Sequence, residues 1–152
     1  MNTIAKWWIT AVFLVCSFVV QAEQKKVFDG PGESDYEVHY IAFNSTFLDA
    51  DIAKQYGLVR SKALGVVNIS VIRREPDGTT QAVRSVIEGR VSNEIQQQNM
   101  MGFQQVTEGP AIYYLAQIQF SEAKRLTFDL TLYPEGQSEA LHHRFSHVFF
   151  ND

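Results

Sequence analysis

The sequence predicts a mainly β fold: an antiparallel, immunoglobulin-like sandwich of two sheets, with about seven strands and one short helix. Apolar and polar residues alternate with period two along most of the chain after residue 34, as in half-buried strands. Turn-forming segments such as Glu75-Pro76-Asp77-Gly78 and Pro134-Glu135-Gly136 separate these runs. Strands joined by tight turns are antiparallel, and seven of them in one small domain favour a sandwich. A closed barrel is the alternative.

Residues 1–22 have the layout of a secretory signal peptide. Lys6 provides a positive charge, an apolar run of 14 residues extends from Trp7 to Val20, and Val20-Gln21-Ala22 is a small-residue cleavage site. A membrane-spanning helix needs about 20 apolar residues, and no second hydrophobic run follows. We therefore expect cleavage after Ala22, export, and no transmembrane segment in the mature protein.

Cleavage after Ala22 limits the chemistry open to the mature protein. The removed segment contains both tryptophans, Trp7 and Trp8, and the only cysteine, Cys16. No thiol is then left for a disulfide, a nucleophile or a thiolate metal site. Without Lys6 the chain keeps 12 basic and 17 acidic side chains, a formal net charge of −5. This charge argues against a nucleic-acid or anionic-membrane partner.

The first part of the mature chain contains a polar leader and then a strand. Residues 23–33 are predicted to be a leader without regular structure, because Gly30-Pro31-Gly32 interrupts strands and helices. A strand follows over residues 36–42, where tyrosine, valine and alanine alternate with polar residues. A single β-sandwich domain is predicted over residues 34–152, without a second domain or internal repeats.

One short helix is predicted after this strand. Ser45 or Thr46 is the expected N-cap, and Gly57 ends the helix where a left-handed residue is needed. Leu48, Ile52 and Tyr56 recur at every fourth position and form one apolar stripe. With two to three turns, the helix is expected to cover a sheet edge or end.

Six further strands complete the predicted sandwich. Turns at residues 75–78, 108–110 and 134–136 separate several of them, and residues 92–99 form a polar loop. These strands are expected over residues 63–74, 79–91, 101–107, 112–120, 126–132 and 140–150.

Histidines are the strongest candidates for metal ligands. His39 lies in the first predicted strand, and His142, His143 and His147 lie in the last. Neighbouring residues of a strand point to opposite faces, and His143 and His147 are about 13 Å apart at about 3.3 Å per residue. Zinc–nitrogen bonds of about 2.1 Å cannot bridge that distance. We therefore predict no metal site; the alternative is a metal carrier in which His39 pairs with His143 and His147 across strands.

The sequence contains no recognisable catalytic motif. The Gly-x-Ser-x-Gly, Ser-x-x-Lys and His-Glu-x-x-His patterns and a glycine-rich phosphate loop are all missing. We therefore predict no catalytic residues and no cofactor. A small serine-type hydrolase with a Ser-His-Asp triad dispersed along the chain is the alternative, because all three residue types are available.

Three residues are candidates for a binding surface. Tyr113 and Leu115 point away from the apolar face of their strand, and Tyr133 points away from Leu132. If they are exposed together, they form an amphipathic patch of the kind that interfaces favour. If the helix or a loop covers them, they are part of the core instead.

Five blocks of the chain resemble a known family. They are residues 36–48 (YEVHYIAFNSTFL), 52–57 (IAKQYG), 60–62 (RSK), 67–71 (VNISV) and 108–115 (EGPAIYYL). Together they resemble the exported bacterial family catalogued as domain of unknown function 4426. The resemblance covers nearly all of the mature chain and implies a single-domain periplasmic β-sandwich. It brings no activity and no functional residues.

These observations predict a non-catalytic binding or interaction module of the cell envelope. Export, the missing catalytic motifs and a fold that presents sheet faces and edges all favour this function. Another envelope protein is the expected partner.

Overall fold

Ten strands form two antiparallel sheets that enclose one apolar core. The computed structural model describes residues 23–29, 34–121 and 123–151, so the predicted signal peptide lies outside the described residues. The strands are β1 (Gln24–Asp29), β2 (Asp35–Asn44), β3 (Leu64–Arg74), β4 (Thr80–Ala82), β5 (Ser85–Ser92), β6 (Gln98–Met101), β7 (Gln104–Glu108), β8 (Ala111–Gln119), β9 (Lys124–Pro134) and β10 (Leu141–Phe149).

The larger sheet has the strand order β1-β2-β3-β8-β7, with β4 also paired to β3. The smaller sheet has the order β10-β9-β5-β6. All the pairings are antiparallel, which confirms the predicted two-sheet sandwich with one short helix. No helix of the described part of the chain is long and apolar enough to cross a membrane.

The core lies between the inner faces of the two sheets. Val67, Ile69 and Val71 of β3 are fully buried there, as the period-two pattern of this strand predicts. Phe149 of β10 packs so closely on Gly65 that a Cβ atom at that position would overlap the phenyl ring. Glycine at residue 65 therefore allows the two sheets to approach each other at this end.

The predicted strand count of about seven was too low, partly because two predicted strands change sheets. The segment 79–91 consists of β4 in the larger sheet and β5 in the smaller one. At the crossing, the backbone N–H of Val83 donates to the Val71 carbonyl at 2.8 Å, and that of Ser85 donates to the Tyr114 hydroxyl at 2.7 Å. In the same way, the segment 101–107 is divided between β6 and β7, and β6 begins within the predicted loop 92–99.

The third additional strand lies in residues 23–33, which were predicted to be a polar leader. Residues Gln24–Asp29 form β1, which pairs with β2 over its whole length. Most side chains of β1 are exposed because it is an edge strand, so it lacks the alternating apolar pattern. Backbone pairing, which does not depend on hydrophobic side chains, holds it in place.

The helical segment begins later than predicted. A single 3₁₀ turn spans Ser45–Phe47, and α1 spans Ala50–Gln55. Asp49 is the N-cap, because its carboxylate accepts a hydrogen bond from the Asp51 backbone N–H at 2.8 Å. The cap predicted at Ser45 or Thr46 is therefore wrong: the Ser45 hydroxyl donates to the Ser61 carbonyl and accepts from the Ser61 N–H. Gly57 follows the helix with a φ of 65°, as predicted.

Candidate ligand-binding cavity

A cavity of about 330 Å³ lies between the helical segment and the outer face of the larger sheet. We call it the α1 cavity. Aliphatic and aromatic side chains make up most of its wall, together with one amide and two carboxylates. The lining residues are Glu23, Phe43, Leu48, Ile52, Tyr56, Leu58, Val66, Asn68, Val106, Glu108, Tyr113 and Leu115.

The floor of the α1 cavity is formed by outward-facing residues on adjacent strands of the larger sheet. Phe43 of β2 is the register partner of Val66 of β3, and Asn68 of β3 is the partner of Leu115 of β8. Exposing this apolar surface to water would be unfavourable. The helical segment covers it, and the predicted stripe of Leu48, Ile52 and Tyr56 forms the roof.

Hydrogen bonds attach this roof to the sheet. The Gln117 side chain binds both backbone groups of Val59, accepting from its N–H at 3.0 Å and donating to its carbonyl at 2.8 Å. The Gln104 amide donates to the Tyr56 carbonyl at 2.7 Å. Both glutamines lie on strands of the larger sheet, β8 and β7, so they position the segment after α1 over the cavity.

Asn68 is the one amide residue among the described residues of the cavity wall. Its Oδ1 atom is buried and has no hydrogen-bond partner. An unpaired buried acceptor of this kind costs about 1–3 kcal/mol. The phenol of Tyr113 and the carboxylate of Glu108 are further polar groups of the wall.

A charge cluster lies beside the cavity on the same face of the sheet. The guanidinium of Arg74 donates from Nε and Nη2 to Oε1 of Glu37, at 2.9 and 2.7 Å. Lys25 of β1 lies 3.7 Å from the same oxygen, and Nε2 of His39 lies 3.1 Å from Glu37 Oε2. Glu23, which also lines the cavity, contacts His39 Nδ1 at 2.8 Å.

This cluster accounts for the acidity of Glu37, which is only 5% exposed. Burial raises the pKa of Glu37, but hydrogen bonds from Arg74 and His39 and the charges of Arg74 and Lys25 outweigh it. The net pKa is below the ordinary value of 4.5. The cluster therefore holds an ionised carboxylate and fastens β1 to β2.

The structure separates the three residues of the predicted patch. Tyr113 and Leu115 line the α1 cavity, and Leu115 is 8% exposed beneath the helical segment. Tyr133 lies on the smaller sheet, where its register partner is the exposed Val86. The helical segment therefore covers Leu115, as one of the two alternatives predicted, whereas Tyr133 stays uncovered. The three residues do not form one patch.

The sequence analysis did not identify Asn68 or Glu108 as part of this region. A usable signal was present: the outward positions of three predicted strands carry Phe43, Val66 and Leu115, where an uncovered sheet would carry polar residues. The pattern does not show the register of the strands, which brings these residues together.

The structure does not bring together the histidines of the alternative metal site. His39 lies on the outer face of the larger sheet, paired with Glu23 and Glu37. The ring of His143 packs at a tilt against Tyr40, with a centroid distance of 4.3 Å, and His147 packs edge-on against Phe149 at 4.5 Å. Within the described ranges, no group of three or more metal-ligating side chains is placed to hold an ion.

The environment of these two histidines keeps them neutral. Burial lowers the pKa of His143, and the charge of Lys26 lowers it further. Burial also lowers the pKa of His147.

The alternative serine triad has no counterpart in the histidine contacts. Ser70 is the register partner of His39, but both ring nitrogens of His39 are directed to carboxylates. His142 is paired with Thr131, at 3.3 Å between Nδ1 and Oγ1. Among the described residues, no hydrogen bond joins a serine hydroxyl to a histidine ring.

Comparisons with known proteins identify the family. The model of the family described as domain of unknown function (DUF4426) matches residues 32–152. The crystal structure of a DUF4426 family protein from Pseudomonas aeruginosa PAO1 is 33% identical, with a TM-score of 0.70 over 88% of this chain and 98% of that chain. None of the curated proteins compared with the chain matches it.

Two further structures are only weakly similar to this chain. FetP from uropathogenic Escherichia coli strain F11, expressed recombinantly in the periplasm of E. coli BL21(DE3), is 10% identical, with a TM-score of 0.49 over 86% of this chain and 97% of that chain. A copper-bound variant of FetP has the same identity and TM-score and covers 84% and 97%. A likeness this distant says nothing about metal binding in this chain.

Proposed function

The chain belongs to the DUF4426 family, and we propose that it is a non-catalytic binding module of the cell envelope, which holds a small, largely apolar ligand in the α1 cavity. The observation that carries this proposal is a cavity whose wall consists mostly of aliphatic and aromatic side chains and which the helical segment covers on one side. Ligand sites are typically concave and mostly apolar, with a few polar groups that orient the ligand.

The size and composition of the cavity support a small ligand. Its volume of about 330 Å³ lies at the lower end of the range of about 300–1,000 Å³ for small-molecule sites. A second concavity of about 400 Å³ lies where the chain crosses between the sheets, but Arg73, Arg84 and Glu135 give it a charged wall. The α1 cavity therefore suits an apolar ligand better.

Export to the periplasm is part of the same proposal. Lys6 and the apolar run from Trp7 to Val20 are typical of a signal peptide that is cleaved after Ala22. Glu23, the first residue after the predicted cleavage site, lines the α1 cavity. The mature protein would thus keep all the described lining residues and meet its ligand in the envelope.

Binding of Nile red, a neutral fluorescent dye, to the mature protein tests the proposal. Nile red is excited by visible light, which protein aromatic side chains do not absorb, so neither the wild type nor a tryptophan variant contributes background fluorescence. Ile52→Trp places a larger ring at the cavity roof, where Ile52 is 41% exposed, and should weaken dye binding at least about tenfold. Val86→Trp, at a 63% exposed position on the smaller sheet, is the matched control and should bind like the wild type.

The proposal is wrong if Nile red does not bind the wild type, or if Ile52→Trp and Val86→Trp bind it equally well. Circular dichroism of both variants establishes that they are folded before the comparison is made.

A further inference from the structure

We infer that the ligand is a lipid whose single unbranched acyl chain lies along the α1 cavity, with its head group outside. This inference rests on the proposed function and specifies the chemical class of ligand. It follows from the length of the cavity, the course of the segment that covers it and the position of its charged residues.

The cavity is long and crosses the larger sheet diagonally. Its floor extends from Phe43 on β2, over β3 and β8, to Val106 on β7. Phe43 and Gln117 both pair with Val66. Val106 pairs with Tyr113, which lies four residues from Gln117 along β8. Three strand spacings of about 4.8 Å and four residues of about 3.4 Å each give about 20 Å between the two ends of the floor.

The helical segment follows the same course. It begins at Ser45, directly after β2, and Leu48 lines the cavity near this end. At the other end, the Gln104 amide of β7 donates to the Tyr56 carbonyl at 2.7 Å. Ile52 lines the roof between these two ends. The segment therefore passes over all four strands of the floor and covers the cavity along its length.

Among the described lining residues, the charged ones lie at the two ends of the cavity. Glu23 precedes β1, beside the β2 end, and Glu108 is the last residue of β7 at the opposite end. Between them the lining residues are aliphatic or aromatic except for Asn68, whose buried Oδ1 atom a ligand cannot reach. An apolar middle with charged, exposed ends suits a chain that needs no polar partner along its length.

The length of the cavity matches one acyl chain of a membrane lipid. The hydrocarbon core of a bilayer is about 30 Å thick, so each of its two layers of chains is about 15 Å deep. A floor of about 20 Å can therefore hold such a chain and leave the head group beyond one end. Because the volume of about 330 Å³ is drawn out over this length, two chains side by side would not fit.

Displacement of Nile red by lysophosphatidylcholines of increasing chain length tests this inference. The head group is the same throughout the series, and each lipid is kept below its critical micelle concentration. From the octanoyl to the tetradecanoyl lipid, affinity should rise about two- to fourfold per methylene group, because each CH₂ adds buried apolar surface. It should level off between the tetradecanoyl and octadecanoyl lipids, where the chain becomes longer than the cavity.

Dihexanoylphosphatidylcholine is the matched control for chain shape. It has the same head group and the same number of acyl carbons as the dodecanoyl lysolipid, but they are divided between two short chains. Only one of these chains can enter the cavity, so the dihexanoyl lipid should bind at least about tenfold more weakly than the dodecanoyl lysolipid.

A variant that shortens the cavity locates the chain. Val106→Trp places a large ring at the β7 end, where Val106 is partly buried. It should bind the octanoyl lipid within about twofold of the wild type, because a short chain still fits at the β2 end, and the tetradecanoyl lipid at least about fivefold more weakly. Val86→Trp introduces the same ring on the smaller sheet and should bind both lipids like the wild type. Circular dichroism establishes that both variants are folded.

The results separate the two proposals. Three outcomes each overturn the acyl-chain ligand and leave dye binding in the α1 cavity intact: an affinity that does not depend on chain length, equal binding of the dihexanoyl and dodecanoyl lipids, or a Val106→Trp variant that changes the binding of both chain lengths alike. Loss of the Nile red response itself, or its insensitivity to Ile52→Trp, overturns the proposed function.

Discussion

The outer faces of the two sheets differ although both belong to alternating strands. At one end, the larger sheet carries Phe43, Val66 and Leu115 on its outer face, and the helical segment covers them. On the smaller sheet, the outer residues of β9 include Thr127, Asp129 and Thr131. Their polar groups bind neighbours on β10; for example, Asp129 accepts from Arg144 Nε at 2.7 Å.

This difference shows how one sandwich can have one outer face that is covered and another that is exposed to solvent. Alternation places one set of side chains in the core of each sheet and leaves the other set to be solvated or covered. Where the second set is polar, water solvates it. Where the outward side chains are apolar, another segment of the chain must cover them. In this protein the helical segment covers them and leaves the α1 cavity beneath it.

The largest expected effect comes from truncating one outward residue on each sheet. Leu115→Ala removes a side chain that is 8% exposed and should lower the free energy of unfolding by about 2–3 kcal/mol. Tyr133→Ala removes a 45% exposed ring whose neighbour is Val86, and should cost less than about 1 kcal/mol. Urea denaturation measures both values. Equal losses would mean that the helical segment does not shield Leu115.

A smaller effect is expected from releasing the cover. Gln117→Ala removes both hydrogen bonds to the Val59 backbone, and should cost about 1 kcal/mol because water partly replaces them at this exposed position. Amide hydrogen exchange at Val59 should become faster, since its donor loses a fixed acceptor.

The control for Gln117→Ala is Thr131→Ala on the open face of the smaller sheet. It removes one side-chain contact with His142, and we expect a change within about 0.5 kcal/mol. If Val59 exchanges at the wild-type rate in Gln117→Ala, these hydrogen bonds do not hold the cover.

The smallest expected effects are changes in the free energy of unfolding with pH. A residue of each sheet contributes in a different pH range. For His147 on β10, burial lowers the pKa below 6.5, so the unfolded chain binds the proton first, and stability is lost as the pH falls below about 6.5. For Glu37 on β2, burial raises the pKa, but the hydrogen bonds and charges of Arg74, His39 and Lys25 reverse this. Its net pKa is below 4.5, so its contribution is lost as the pH falls below about 4.5.

Urea denaturation between pH 7 and pH 3 tests both signs, and each variant is the control for the other. His147→Phe should reduce the slope of the upper part of the pH profile, to which His143 also contributes, and leave the lower part unchanged. Glu37→Gln should lower stability at neutral pH and flatten the lower part. A profile that His147→Phe steepens above pH 5 would contradict the assigned direction.

Sequence reasoning was most successful where local periodicity decides the structure. The inner residues of β3 and β8 and the turns at Gly78, Gly109 and Gly136 follow the predicted pattern, and all three glycines have positive φ. It failed where the partner strand decides. β1 has no apolar alternation because pairing with β2 stabilises it through the backbone. The segment 79–91 passes from the larger sheet to the smaller one, but its alternation of apolar and polar residues does not show where it crosses.

The candidate site was predicted only in part for the same reason. Tyr113 and Leu115 could be selected because they interrupt the polar side of an alternating strand. Their association with Phe43, Asn68 and Glu108 depends on the order and register of β2, β3, β8 and β7. Tyr133 was selected by the same rule, but it belongs to the other sheet.

The sequence by itself determined the class of fold, the apolar stripe of the helical segment and the family to which the chain belongs. These properties depend on residues close together in the chain, whose spacing is directly readable. Only the tertiary structure decided which outward face is covered, that His39 is separated from His143 and His147, and that the α1 cavity exists. Those properties depend on pairings between distant strands, and a strand of alternating residues can satisfy many pairings equally well until the whole sheet forms.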